Sequence, residues 1–403
     1  MKLSEELAWR GFVNQTTLKD STELDQAPIS FYWGVDPSAD SMHIGQLAMA
    51  MMIRHFIAHG HKATLLVGGA TGMIGDPDGK DAERELKTID EVTHNKAGIV
   101  NQYARLFSGL AFDTVDNYEW FKNMQYLSFL RDIGKHFSMT QLLDRDFVKN
   151  RIGDGGAGIS YAEFSYSLIQ GYDFLHLYRS HGVTLQVAGA DQWGNSISGV
   201  QLIRKLEGAE AHIWTAPLII NKATGKKFGK SESGAVWLDE HKTSAYSFYQ
   251  FWLNVDDQGV IDYIKIYTLL SKDEIEQLEA KHRQNQGARL AQKTLARQVT
   301  TLVHGEARLE SIERVTEVMF GQRSFETLRQ DEIDVLAQEI PRVAGGITVV
   351  DALVNAGVTA SNGEARRLIQ GGAISLNGTK LSESVVVQSG LLKKGKNTFI
   401  LIN

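Results

Sequence analysis

The 403-residue chain has no cysteine, so it can form neither a disulfide nor a thiolate metal site. No apolar run is long enough to span a bilayer, and no charged-then-apolar leader opens it. Met1-Lys-Leu-Ser-Glu-Glu-Leu reads instead as a helix start. There is no internal repeat and no low-complexity segment. These absences fit a cytoplasmic, non-membrane protein without a metal site of its own. What is present is ordinary for globular proteins: 43% hydrophobic and 22% charged residues. The length predicts two or three domains, each with its own core.

Net charge is −6 but unevenly spread. From Gly346 to Asn403 six Lys/Arg stand against Asp351, Glu364 and Glu383, so this tail is +3 and the rest −9. A basic tail on an acidic body suits a polyanion partner, or a merely solvated surface; charge alone weighs the two evenly.

Three short apolar runs end in clusters of Gly, Asp and small polar residues: Ile29–Asp36, Ala63–Gly72 and Val183–Asp191. Separated by helical patterns, they predict a parallel α/β sheet of Rossmann-like type. Ligands of such sheets bind outside the carboxyl ends of the strands, where all three clusters would lie. Ile44, Leu47, Met51 and Phe56 follow helical spacing, and Gly60 is a fitting stop. The segments predicted are a catalytic domain over 1–225 with an aromatic-rich helical insertion at 118–152, a lysine loop and helical domain over 226–320, a connector at 321–345, and a small α+β domain over 346–403.

Two motifs carry phosphate chemistry. His43-Ile-Gly-Gln46 sits where a strand turns into a helix, whose N-terminus presents unpaired N–H groups and partial positive charge. Gly45 would let a ligand approach the backbone, and His43 and Gln46, three apart, would both donate to phosphate oxygens. Lys227-Phe-Gly-Lys-Ser231 puts two lysines on a glycine-flanked loop, fit to neutralise charge on a pentacoordinate phosphorus. Each motif alone is weak, since His-x-Gly recurs by chance and Lys-x-x-Lys is usually a solvated turn. A third pattern lies in 161–175, where Tyr166, Gln170 and Asp173 form one polar stripe on a helix, while Phe164, Leu168 and Leu175 lie on another side. Periodicity alone favours a solvent-facing stripe; the sharper reading is a pocket wall for an ammonium group and a phenol, with Tyr32 as a further phenol partner.

Taken together these segments resemble the bacterial-type tyrosyl-tRNA synthetases, a class I aminoacyl-tRNA synthetase family. Pro37–Leu47 is similar to its His-Ile-Gly-His signature, and Lys227–Ser231 to its Lys-Met-Ser-Lys-Ser signature. Val67–Pro77, Phe129–Phe137, Glu163–Tyr166 and Gly189–Asn195 also match, and the tail resembles an S4 RNA-binding module. The resemblance implies activation of tyrosine with ATP and Mg2+, transfer to tRNA(Tyr), and a homodimer. It implies Tyr32 and Asp173 on the phenol, and Asp76, Tyr166 and Gln170 on the α-ammonium, with Gln192 beside the tyrosyl group. His43 and Gln46 would face the triphosphate, with Asp36, Gly45 and Ser231 also in the ATP site and Asp191 on the ribose. Lys80 and Arg84, with Lys227 and Lys230, would stabilise departing pyrophosphate. A site built to bond a hydroxyl rejects phenylalanine without editing, tyrosyl-tRNA synthetases being the established example.

Two departures stand out. Gln46 replaces the second signature His, and Trp33 stands where many relatives carry a small residue near the ribose. They leave two alternatives in play: a non-catalytic RNA-binding paralogue, or an enzyme activating another aromatic amino acid. In the tail, Ser361–Glu364 reads as a capping box opening a helix with Arg366 and Arg367, closed by Gly371-Gly372. Ala373–Gly378 reads as a strand entering an Asn-Gly turn. Lys393, Lys394 and Lys396 read as a basic loop before the last strand, and these cations suit an RNA backbone.

Overall fold

The computed structural model describes residues 1–77, 86–153, 155–222, 224–225, 227–231, 234–395 and 398–403, without the side chains of 146, 147, 230 and 231. The chain divides into two compact units, Met1–Thr243 with Asn254–Leu295, and Ser244–Leu253 with Ala296–Asn403.

The first unit is built on a six-stranded sheet of β1 (Gln15–Thr16), β2 (Ser30–Val35), β3 (Lys62–Val67), β4 (Phe112–Asp116), β5 (Leu185–Gly189) and β6 (His212–Ala216). Its order is β1-β6-β5-β2-β3-β4, parallel throughout except for the antiparallel β1–β6 pair. β2, β3 and β5 are the three runs expected from the sequence. Their near-continuous apolar character follows from burial on both faces. From β2 the chain builds outward through β3 and β4, then returns to add β5 and β6 on the other side. The order therefore reverses between β2 and β5, where doubly wound sheets open a crevice at their carboxyl ends.

Helix Ile44–Ala58 starts at His43 and stops before Gly60, whose φ of 89° is left-handed. It is buried on nearly all sides, with helices Leu3–Arg10 and Val260–Tyr267 packed against it. Arg10, itself buried, donates to the carbonyls of Lys265, Thr268 and Leu270 at 2.8, 3.1 and 2.8 Å. Helix Tyr161–His181 opens on a reciprocal Ser160–Glu163 capping box, both bonds 3.2 Å. It lies close against helix Trp193–Glu207 because Gly199 has no side chain: a Cβ there would sit 2.7 Å from that of Phe174.

The segment 118–152 forms short helices: Tyr118–Phe121, Tyr126–Asp132, Met139–Leu143 and Asp146–Ile152. Its Phe121 and Phe129 pack around Tyr172 of the long helix, while Tyr126, Leu127, Met139 and Ile152 are exposed. A buried Arg151–Glu163 ion pair at 3.0 Å ties it to the same helix.

The second unit joins helices Ala245–Leu253, Glu306–Met319 and Gln330–Glu339 to a small α+β part. The last of these helices lies inside 321–345, expected as a connector. Its buried residues, Glu332, Val335 and Leu336, are too few to give a clear apolar period. Beyond it, β9 (Arg342–Val343), β11 (Ile374–Leu376), β12 (Thr379–Lys380), β14 (Gly390–Lys394) and β15 (Thr398–Ile402) form a sheet ordered β12-β11-β14-β15-β9. β10 (Ile347–Thr348) pairs separately with β13 (Val386–Val387). Asn377 and Gly378 turn β11 into β12 with φ of 48° and 85°, the positive pair a two-residue hairpin requires. Ser361 caps helix Asn362–Gln370, and Gly371-Gly372 follows it.

Lys393 and Lys394 are corrected by the structure. They lie in β14, not in a loop, and their ammonium groups donate to the carbonyls of Met319 and Val358 at 3.3 and 3.0 Å. Lys396 lies outside the described residues. Arg366 and Arg367 are exposed on their helix. Among the described residues no helix is long and apolar enough to cross a membrane.

Candidate active site

A cleft of ≈ 510 Å³ opens at the carboxyl ends of β2 and β5, at the point where the strand order reverses. Its walls bring together Tyr32, Asp36, His43, Gly45, Gln46 and Asp76 with Tyr166, Gln170, Asp173, Asp191, Gln192 and Lys227. These come from six separated stretches of sequence.

At the helix start, His43 is the N-cap in extended conformation. Its Nδ1 accepts from the Gly45 N–H at 3.0 Å, and its own N–H donates to Gln46 Oε1 at 3.0 Å. The pair is thus a capping box, rather than two side chains sharing a helix face. Holding Nδ1 as acceptor leaves the ring proton on Nε2, and holding the Gln46 oxygen leaves its NH2 as donor. Gly45 also has a reason the sequence did not disclose: a Cβ there would come within 2.8 Å of the His43 ring.

The lysine motif adjoins this start. The Ile44 N–H donates to the Val236 carbonyl, and the Val236 N–H to the Gly229 carbonyl, both at 3.0 Å. Lys230–Ser231 (β7) pairs with Gly234–Ala235 (β8), so the segment is a small hairpin and not an open loop. Lys227 bridges to Ile220 and remains exposed. Phe228 is buried and stacks on Tyr263, ring centroids 4.1 Å apart. Lys80 and Arg84 lie outside the described residues.

The polar stripe faces the cleft and is buried, against the solvent-facing reading. Tyr166 is 5% exposed and Asp173 2%. Helix Trp193–Glu207 and the insertion cover the flanks, leaving the cleft as the direction in which the stripe points. Tyr166 donates to Asp36 Oδ2 at 2.8 Å, and Thr71 donates to Asp36 Oδ1 at 2.6 Å. Asp36 therefore holds Tyr166 through one carboxylate oxygen while Thr71 fixes the other. Asp173 accepts from Asn117 Nδ2 at 3.0 Å and from Trp120 Nε1 at 2.8 Å. Burial nonetheless outweighs these bonds, and with Asp36 and Asp116 nearby it pushes the Asp173 carboxyl up to about 8. Gln192 donates to Asp76 Oδ2 at 2.6 Å.

Three buried polar atoms along these walls have no hydrogen-bond partner among the described residues: Tyr32 hydroxyl, Gln170 Oε1 and Gln186 Oε1. Such orphans are costly unless a ligand completes them. Burial and Asp173 together raise the Tyr32 phenol well above its ordinary value, so it stays a neutral donor. Gln186, Asn117 and Trp120 were not found from the sequence. A glutamine inside an apolar strand is a signal that could have found the first; the other two have no spacing that marks them.

Trp33 is a core residue. It lies on the face of β2 opposite Tyr32, 4% exposed, with its ring 5.6 Å from Tyr103 and 6.4 Å from Phe107. It also lines the cleft, while its ring packs on the helix behind the sheet. Among the described residues no group of three or more His, Asp or Glu is arranged to hold a metal ion.

A family model described as tRNA synthetases class I (W and Y) matches residues 24–321, and one described as the tyrosine–tRNA ligase SYY-like C-terminal domain matches 332–402. The tyrosine–tRNA ligase of Bacteroides thetaiotaomicron is 44% identical over all of this chain and 99% of its own length. The chain belongs to the tyrosine–tRNA ligase family. The corresponding ligase of Geobacillus stearothermophilus is likewise 44% identical, with the same coverage. Among solved structures, the C-terminally truncated mitochondrial tyrosyl-tRNA synthetase of Aspergillus nidulans superposes with a TM-score of 0.69 at 29% identity, covering 77% of this chain and 92% of that one. Membership makes the chain a class I synthetase and an enzyme. It leaves the non-catalytic alternative without support, since Trp33 is accounted for by packing and Gln46 by the capping box.

Proposed function

We propose that the chain activates L-tyrosine with Mg-ATP, giving tyrosyl-adenylate and pyrophosphate, and passes the tyrosyl group to the 3′-terminal ribose of tRNA(Tyr). The observation that carries the specificity is the buried, unpartnered Tyr32 hydroxyl in a cleft it shares with Asp173. A phenol completes that arrangement; a phenyl ring leaves it unsatisfied.

The tyrosine carboxylate is already a nucleophile, so no general base is needed, and the enzyme's work is positioning and charge stabilisation. Tyr32 and Asp173 take the phenol. Asp76, Tyr166 and Gln170 take the α-ammonium, Tyr166 being steadied by Asp36, with Gln192 beside the tyrosyl group. His43 Nε2 and the Gln46 NH2 donate to ATP phosphates where Gly45 opens the helix, and Asp191 binds the ribose. Ser231 also lies in the ATP site, and Lys227 and Lys230, with Lys80 and Arg84, balance the charge of departing pyrophosphate. Mg2+ arrives with ATP.

Arg366 and Arg367 contact tRNA phosphates from an S4-like module, while Lys393 and Lys394 hold the fold. The enzyme works in the cytoplasm as a homodimer, with the exposed apolar residues of the insertion at its interface. The segments act as catalytic domain (1–225), lysine-motif and helical domain (226–320), connector (321–345) and RNA-binding domain (346–403). Tyrosine-dependent ATP–pyrophosphate exchange, with phenylalanine and tryptophan as controls, tests the reading. Exchange with tyrosine alone is expected; exchange with none would overturn the activity, and exchange with tryptophan instead would overturn the specificity.

A further inference from the structure

We propose that Arg145, in the insertion, is a positioning residue for the amino-acid subsite and acts through Asn195. Arg145 immediately precedes helix Asp146–Ile152, and its guanidinium reaches side chains of both helix Tyr161–His181 and helix Trp193–Glu207. It donates to Asn195 Oδ1 at 3.3 Å, to Ser198 Oγ at 2.6 Å, and to Ser167 Oγ. The Ser167 hydroxyl donates to the same Asn195 oxygen at 2.8 Å. Asn195, Ser167 and Ser198 are all at least 98% buried.

A side-chain amide can turn over, exchanging its acceptor and donor ends. Here two donors converge on one end, so that end must be the oxygen. The NH2 group then faces the cleft, donating to Asp76 Oδ1 at 3.3 Å and to Gln192 Oε1 at 3.5 Å. Gln192 in turn donates to the other Asp76 oxygen. Both oxygens of Asp76 are thereby held in place by amides whose orientation traces back to Arg145. With the guanidinium removed, one of the two donors fixing the amide is lost. A turned amide would set its oxygen against the Asp76 carboxylate. The short helices of the insertion thus help set the affinity for the amino acid, although among the described residues none of the insertion lines the cleft. The inference rests on the proposed role of Asp76 in holding the substrate ammonium.

The test is pyrophosphate exchange on full-length protein carrying Arg145→Met, Arg145→Lys, Asn195→Ala and the Arg145→Met/Asn195→Ala double change. Arg145→Met is expected to raise the tyrosine KM roughly five- to tenfold, the size of one lost hydrogen bond, with kcat and the ATP KM unchanged. Arg145→Lys should recover part of that loss. The double variant should bind tyrosine no more weakly than Asn195→Ala alone, because one residue acts through the other. An unchanged tyrosine KM in Arg145→Met, an equal rise in both KM values, or additive losses would each overturn the proposal. If circular dichroism shows Arg145→Met unfolded, Ser167→Ala replaces it: a raised tyrosine KM supports the proposal and an unchanged one overturns it. Wild-type protein without tyrosine-dependent exchange would instead defeat the underlying activity, a separate result.

Discussion

Gly45 is restricted by its own neighbour: any Cβ would push the His43 ring, and with it the Nε2 proton, out of place. Gly45→Ala should therefore lower kcat/KM for ATP at least about tenfold in exchange assays while leaving tyrosine binding intact, since ångström-scale misplacement of a positioning group costs this much or more. Tyr32 and Asp173 make the complementary case at the other end of the cleft. Tyr32→Phe removes a hydroxyl that awaits a partner, and discrimination against phenylalanine should fall about tenfold or more, read as the ratio of kcat/KM values. Asp173 also leaves a thermal signature. Its carboxyl holds its proton up to about pH 8 when folded, but only in the ordinary carboxylate range when unfolded. The folded state thus binds more protons across that interval, and raising the pH through it removes stability. The melting temperature of the free enzyme should fall more steeply between about pH 5 and 8 than that of Asp173→Asn, measured in parallel by calorimetry.

Elements place these residues, and how each could be read depended on what its pattern encodes. Strands β2, β3 and β5 and the first signature helix were legible because apolar runs ending in glycine and aspartate state their own boundaries; β1, β4 and β6 carry no such run and were not expected. The Asn377-Gly378 hairpin was legible for the same local reason. Periodicity grouped Tyr166, Gln170 and Asp173 on one face but could not say that the face was buried, because that depends on helix Trp193–Glu207 and the insertion packing alongside. The lysines of β14 misled because a run of cations looks the same whether it lines a loop or sends its ammonium groups to Met319 and Val358. Helix Gln330–Glu339 escaped because few of its residues are buried. The lysine hairpin makes an element-level prediction. Phe228 anchors it by stacking on Tyr263, a contact of about 0.5–1.5 kcal/mol beyond burial. Phe228→Ala should lower kcat of exchange several-fold without moving the tyrosine KM, as stopped-flow adenylate formation would resolve.

At the scale of the whole molecule, amino-acid activation and RNA recognition are assigned to different units, so they should separate in assays. Arg366→Glu with Arg367→Glu should weaken tRNA charging and flatten its salt dependence while leaving tyrosine-dependent exchange at the wild-type level. The family was legible from ordered motifs spread along the chain. The division itself was not, because Ser244–Leu253 belongs to the second unit while Asn254–Leu295 belongs to the first, an interleaving no composition shift reveals. That interleaving bears on how the protein is made. The guanidinium of Arg10 finds its three carbonyl partners only at residues 265–270. A ribosome adding roughly 5–20 residues per second needs on the order of ten to fifty seconds to supply them. Throughout that interval the first helix has no completed seat, and the nascent sheet must remain soluble without its closing helix. The catalytic unit is therefore a late-closing one, and the growing chain, more than the finished enzyme, is where a chaperone would find something to hold.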